Sequence, residues 1–492
     1  MSGGCEMDEQ GAGETRLAHW IALLGERDIP VLQRSVDALA RLRPREDTVN
    51  PRELSQIILR DPMLTLTVVR HLQTRSRRRK LAEITTVEHA VMMLGITPFF
   101  AAFSNLPAVE DALRDEPQAL AGLMRVVSRA RTAALYAGAW AARRADIETD
   151  EVVVAALLHD MAELLMWCFA PVQVAAIAER KRREPGLRSS QAQQEALGFT
   201  LSELQLALAQ GWQLPALLTM LMDDAGDPTP RVANVRLAVA LARHTAEGWS
   251  NPALPDDIEG AARLLKSTAD DVYPEIFDIA LHAVAEREWY GDSLGRACLP
   301  CLPSAAPGDA GASAAERRAQ AREDALFWLR CLADGVPLKG HPRQGMVRDG
   351  AHDALAAIAA ALDAVTRGLG MACGVFLSVD PERKQIAAKY FSSGCSYAAA
   401  LRVLETSAAV RDALTAACAS RDIALGVADA TALCVLPVLL DGRAVALVAA
   451  FAPQQSPPAD AGALDDLRRI GRRFTEVLGA AGGTPFWERR RA

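Results

Sequence analysis

The chain has 492 residues, half of them hydrophobic and only 5% aromatic, with a formal net charge of −7 and a pI near 5.7. Its length suggests about two to four domains. The acidic balance argues against wholesale attraction to nucleic acid or to an anionic membrane surface, and abundant alanine with few aromatics suits packed helices better than a sheet sandwich.

Residues 1–16 are rich in Gly, Glu and Asp and carry no apolar segment of the secretion-signal kind, which predicts a disordered tail. No uninterrupted apolar run of about 18 residues follows, so a cytoplasmic protein without a membrane partner is expected. From 17 to 290 the apolar residues recur with helical period and no strand alternation, predicting one helical domain. Asp61-Pro62 is a helix start, since Asp accepts from orphan amides and Pro suits the first helical position. Val87, Ala90, Val91 and Leu94 make one apolar face, and Gly95 follows where a left-handed stop is wanted. Val154, Leu157, Leu158 and Met161 keep helical spacing, and Glu163 to Trp167 continue it, predicting a single buried helix. The run Arg75, Arg77, Arg78, Arg79 and Lys80 reads either as a solvated loop or as an interaction patch for phosphates or an acidic partner.

Residues 291–320 turn to Gly, Pro, Ala and Ser and read as a linker. A connecting helix (321–344) and an α/β domain with an antiparallel sheet (345–480) follow, then a tail (481–492). Strand texture begins at Gly374 to Val379 and Gln385 to Phe391. The strongest hairpin signal is Asp441-Gly442 between the apolar runs Cys434 to Leu440 and Ala444 to Phe451, because a type I′ turn needs positive φ at both central positions. A closing helix is predicted over Asp465 to Leu478. The nine cysteines, odd in number and scattered, are expected as reduced thiols. Cys298-Leu299-Pro300-Cys301 lacks a second pair at zinc spacing and reads as linker. Phe376, Tyr390, Phe391, Cys395 and Cys434 are either core or the lining of a small-molecule pocket.

His159-Asp160, in Ala156-Leu157-Leu158-His159-Asp160-Met161, is the pair that a metal hydrolase would use. A working site needs roughly four to six nitrogen and oxygen ligands and an open position for water. The preceding stretch, Ser128 to Trp140, holds no histidine; His89 lies far upstream and the next histidine is His244. Asp223 and Asp224, with Asp227, could join His159 and Asp160 in an oxygen-rich magnesium or manganese site. The expectation is instead a structural remnant with no metal, no cofactor and no catalysis.

Four signposts in order resemble the HDOD domain, a helical relative of the HD-superfamily phosphohydrolases found in bacterial signalling proteins. They are Ile57 to Leu64, Thr85 to Gly95, Ala156 to Leu164, and Gly211-Trp212-Gln213-Leu214-Pro215, and the resemblance spans roughly 20–288. The chain departs from it at Gln73 to Lys80 and at Met222-Asp223-Asp224. Residues 345–480 resemble a GAF-type sensor domain in their order of helix, strands and hairpin. Together the resemblances imply a mainly α, non-catalytic signal-transduction protein. Its helical domain would bind other signalling proteins, and its C-terminal domain would take a small molecule or mediate homodimerisation, with no nucleic acid. The alternative is a divergent phosphohydrolase of nucleotides or cyclic dinucleotides using His159, Asp160 and the Asp223 cluster.

Overall fold

The computed structural model describes residues 3–79, 86–184, 186–222, 229–246, 248–287, 297–303, 313–334, 350–380, 385–393, 395, 397–428, 431–453 and 461–480, excepting the side chains of 3–14, 75–79, 350–351, 397–399, 428, 453, 461 and 480. Packing divides the chain into two units. One comprises Met1–Arg243 with Arg263–Lys266 and Arg287–Leu294; the other comprises His244–Ala262, Ser267–Glu286 and Gly295–Ala492.

Among the described residues the first unit is helical throughout. Asp61 starts the Pro62–Arg79 helix as its spelling predicts: Oδ1 accepts from the backbone N–H of Met63 at 2.8 Å and of Leu64 at 3.1 Å. Its Oδ2 also accepts from Leu32 N–H and the Ser35 hydroxyl, tying two helices together. Thr86 caps Val87–Leu94, and Gly95 at φ 86° ends it. The long Pro117–Arg143 helix buries Leu123, Met124, Val127, Tyr136 and Trp140. Gly122 lets the Trp167 ring lie against its backbone, since a Cβ there would fall 2.5 Å from that ring.

The stretch Thr149–Phe169 has mean hydropathy 1.7, enough by length and composition to cross a bilayer, although Asp150, Glu151, His159, Asp160 and Glu163 interrupt its apolar residues. Two-thirds of it is buried inside the unit (67%), as a core segment of a helical domain would be. It is also two helices, Thr149–Leu157 and Met161–Phe169, and not the single helix that its spacing suggests.

The second unit contains a six-stranded mixed sheet, β1 (Ala297–Cys298), β2 (Cys373–Asp380), β3 (Gln385–Phe391), β4 (Ala424–Ala428), β5 (Thr431–Leu440) and β6 (Arg443–Pro453), in the order β1-β3-β2-β6-β5-β4. Only β1 against β3 is parallel, so part of the expected linker is an edge strand and the sheet is not purely antiparallel. Asp441 and Gly442 both take positive φ, 49° and 72°, and join β5 to β6 as the sequence predicts. Period-two alternation sends Phe376, Cys434, Leu436 and Val448 to one face, where the helices Ala314–Ala333, Gly350–Thr366 and Ala461–Ala480 cover them. Val375, Leu433, Val435 and Leu447 go to the other, against Ala408–Ser420.

The helix Ala269–Glu286, expected within the N-terminal domain, belongs to this second unit. Phe277, Leu281 and Val284 join its core, with the Phe277 and Trp328 rings 5.2 Å apart. An apolar helical face specifies that it must be covered, not by what, and the texture change near 290 therefore misplaces the division. The cysteines are corrected too: Cys373 and Cys395 form a disulfide. Their Cα atoms come within 4.5 Å because Ser392 N–H donates to Gly374 O, drawing the end of β3 against the start of β2.

Candidate functional site

His159 and Asp160 stand in the break between the Thr149–Leu157 and Met161–Phe169 helices. A break inside a buried apolar segment leaves the Ala162 amide to be satisfied and Leu158 O, bonded only by Met161 N–H at 3.1 Å, to be given a second donor. Gln205, buried on the Leu201–Gly211 helix, does both: its Nε2 donates to Leu158 O and its Oε1 accepts from Ala162 N–H, each at 2.9 Å. One side-chain amide thus holds the two helix ends apart by a fixed turn and sets where the pair projects.

The pair is part of a charged cluster. Arg129, on the Pro117–Arg143 helix, donates from Nε at 3.0 Å and Nη2 at 2.7 Å to Asp160 Oδ2, and from Nη2 at 2.6 Å to Glu163 Oε2. His159 Nδ1 lies 2.8 Å from Asp160 Oδ1, so that nitrogen carries the hydrogen while Asp160 is ionised. Arg243 Nη2 stands 3.7 Å from the same Oδ1. Burial alone pushes the Asp160 carboxyl up, but the Arg129 charge, then His159 and Arg243, reverse this and hold it well below the usual carboxylate range. Burial opposes the Arg129 charge, and Asp160 with Glu163 more than restore it, raising its pKa.

This donor set does not fit a divalent ion. Asp160, the carboxylate that a metal would bind, has Oδ2 engaged twice by a guanidinium and Oδ1 facing an imidazole N–H and a second guanidinium. His159 presents its hydrogen-bearing nitrogen to Asp160, leaving one ring nitrogen. Among the described residues no group of three or more His, Cys, Asp and Glu side chains is arranged to hold a metal ion. Asp223 and Asp224, the remaining members of the alternative site, lie outside the described residues, as does Asp227. His89 is exposed on its helix, away from the apolar face.

Arg129 is the residue that sequence reading passed over. Its neighbours Val126, Val127, Ala130, Ala133 and Ala134 are buried, but Arg125 and Arg131 stand in the same stretch, so the sequence alone does not single out the cation that needs an anionic partner.

The other predicted positions are dispersed. Phe376 and Cys434 lie on one face of the sheet with the partly buried Tyr390, whereas Phe391 and Cys395 lie on the opposite face. All but Tyr390 are buried, and Cys395 is in the disulfide, so the five do not line one pocket: adjacent strand residues point to opposite faces. The side chains of Arg75, Arg77, Arg78 and Arg79, and all of Lys80, lie outside the described residues. Arg70, just before them, turns inward: its guanidinium lies 4.6 Å from the Trp212 ring centroid and donates to the carbonyls of Gly25 and Arg27. Cys301 Sγ is 2.6 Å from Ser393 Oγ, and burial raises its thiol pKa.

Residues 29–228 match the HDOD domain family, and the chain carries an HDOD domain over that span. No curated protein matches the chain. Among solved structures, the MmoQ response regulator of Methylococcus capsulatus is 20% identical, covering 48% of this chain and 98% of its own, with a TM-score of 0.38. A Campylobacter jejuni virulence factor is 17% identical over 57% of this chain and 100% of its own, with a TM-score of 0.39. An HDOD domain protein of unknown function from Geobacter sulfurreducens is 20% identical over 56% and 99%, with a TM-score of 0.29.

Proposed function

We propose that this chain is a non-catalytic bacterial signal-transduction protein. Its HDOD domain serves as a protein-interaction output, and its C-terminal sheet domain serves as a GAF-like sensor or dimerisation module. The observation that carries the reading is the occupation of Asp160 by Arg129. A guanidinium already supplies the positive charge that a hydrolytic metal would bring, but it has no vacant coordination position at which water could be activated. What is left of the pair is a buried polar network that fixes three helices, Pro117–Arg143, Met161–Phe169 and Leu201–Gly211, in one arrangement.

Signal transfer in such a protein is a shift of population: a ligand or partner must bind one arrangement of the chain more tightly than another. The partners are other signalling proteins and, in the C-terminal domain, a small molecule or a second copy. The test is to incubate the full-length protein with linear and cyclic dinucleotides in manganese or magnesium. No turnover above the metal-only control is expected. Turnover that disappears in His159→Ala would replace this reading with the phosphohydrolase one.

A further inference from the structure

We infer that the sheet-bearing unit holds a groove for a small anionic molecule with an apolar body, formed where β5 runs on past the end of β4. Ala424, the first residue of β4, pairs with Val435, so Leu436 to Leu440 are paired with β6 and, among the described residues, have no strand on their other side. The Ala461–Ala480 helix crosses above this stretch. It comes close because residue 471 is glycine: a Cβ there would stand 3.0 Å from Leu436 Cδ1. The space left has a volume of about 530 Å³, within the roughly 300–1,000 Å³ typical of ligand sites.

Its floor is apolar, with Leu436, Pro437 and Leu439 from β5 and Ile423 from the approach to β4. Its rim is cationic, with Arg421, Arg468 and Arg472 against Asp422 and Glu476. Of these cations, Arg468 is held by Asp465 at 3.2 Å and faces Asp422 at 4.0 Å, while Glu476 is taken by Arg473 at 2.6 Å. Arg421 and Arg472 make no ion pair among the described residues. Arg421 also occupies the left-handed C-cap of the Ala408–Ser420 helix at φ 59°, which fixes where its side chain leaves the backbone beside the groove.

Two uncommitted guanidiniums beside an apolar floor suit a carboxylate or phosphate head with an acyl or aryl body, the head taking charge-assisted hydrogen bonds. A further β-strand is the poorer occupant, because Pro437 has no N–H to offer along that edge. The inference rests on the reading of the C-terminal domain as a small-molecule sensor and names its ligand class; failure of this groove alone would leave the HDOD output with another input.

The test is calorimetric titration of the full-length protein with octanoate and with octyl phosphate, using 1-octanol and inorganic phosphate as controls. One molecule of at least one amphiphile is expected to bind per chain. The Arg421→Gln/Arg472→Gln double variant, whose altered residues are exposed, is expected to weaken it at least tenfold while keeping the unliganded thermal midpoint. Which amphiphile binds tells carboxylates from phosphates. Binding of neither, equal binding by the double variant, or controls that bind as tightly as the amphiphiles would overturn the proposal.

Discussion

Arg129 meets Asp160 through a single carboxylate oxygen, Oδ2, which accepts from both Nε and Nη2, while Nη2 also reaches Glu163. Removing only the cation takes the closest counter-charge from Asp160 and Glu163, leaving Asp160 with the His159 N–H and Arg243 at 3.7 Å, and breaking one side of a buried pair costs about 3–5 kcal/mol. Arg129→Met is therefore expected to lower the urea-unfolding free energy by that amount. The triple variant Arg129→Met/Asp160→Leu/Glu163→Leu is expected to recover most of the loss, because no unpaired charge remains.

Gln205 offers an independent handle on the same turn. Gln205→Leu keeps the volume but leaves Ala162 N–H without its partner and Leu158 O with only the Met161 N–H, at about 1–3 kcal/mol for the orphaned amide. The expected result is a loss of stability of that size, smaller than that of Arg129→Met, together with faster amide exchange at residues 158–162.

The acid limb of stability follows from the depressed Asp160 pKa. Its carboxylate stays ionised in the folded chain below the ordinary value of about 4, so the unfolded chain binds the proton first. The contribution is complete above that value and is lost as pH falls toward the lower folded-state pKa. Asp160→Asn is expected to flatten the pH dependence of unfolding below pH 4. An unchanged acid limb would show that another carboxylate governs it. Asp61 has the opposite sign, because burial raises its pKa despite four hydrogen bonds.

Reduction should act on the second unit alone. The Cys373–Cys395 disulfide has a sequence separation of 22 residues, for which loop-closure arguments give about 3 kcal/mol. A thiol reductant, or Cys395→Ser, is expected to lower the unfolding midpoint of the sheet-bearing unit and leave that of the helical unit in place.

Local chemistry was the legible part of the sequence. The Asp61-Pro62 start, the Thr86 to Gly95 helix and the Asp441-Gly442 turn are each specified by a few adjacent residues, and each stands as read. What the sequence concealed depends on partners far along the chain. The break at His159 is sealed by Gln205, 43 residues beyond Ala162, and Asp160 is neutralised by Arg129, 31 residues before it. Edge strand β1 forms only because β3 lies beside it. Helical spacing through Leu158 and Met161 is compatible with both a straight helix and a broken one, since a short turn shifts the phase too little to register.

Metal stoichiometry tests the central claim most directly. Full-length protein purified without chelator would be assayed for manganese, iron, magnesium and zinc beside His159→Ala and Asp160→Ala. With Asp160 held by Arg129, substoichiometric metal is expected, unchanged in both variants. One equivalent of bound metal that disappears in either variant would contradict it.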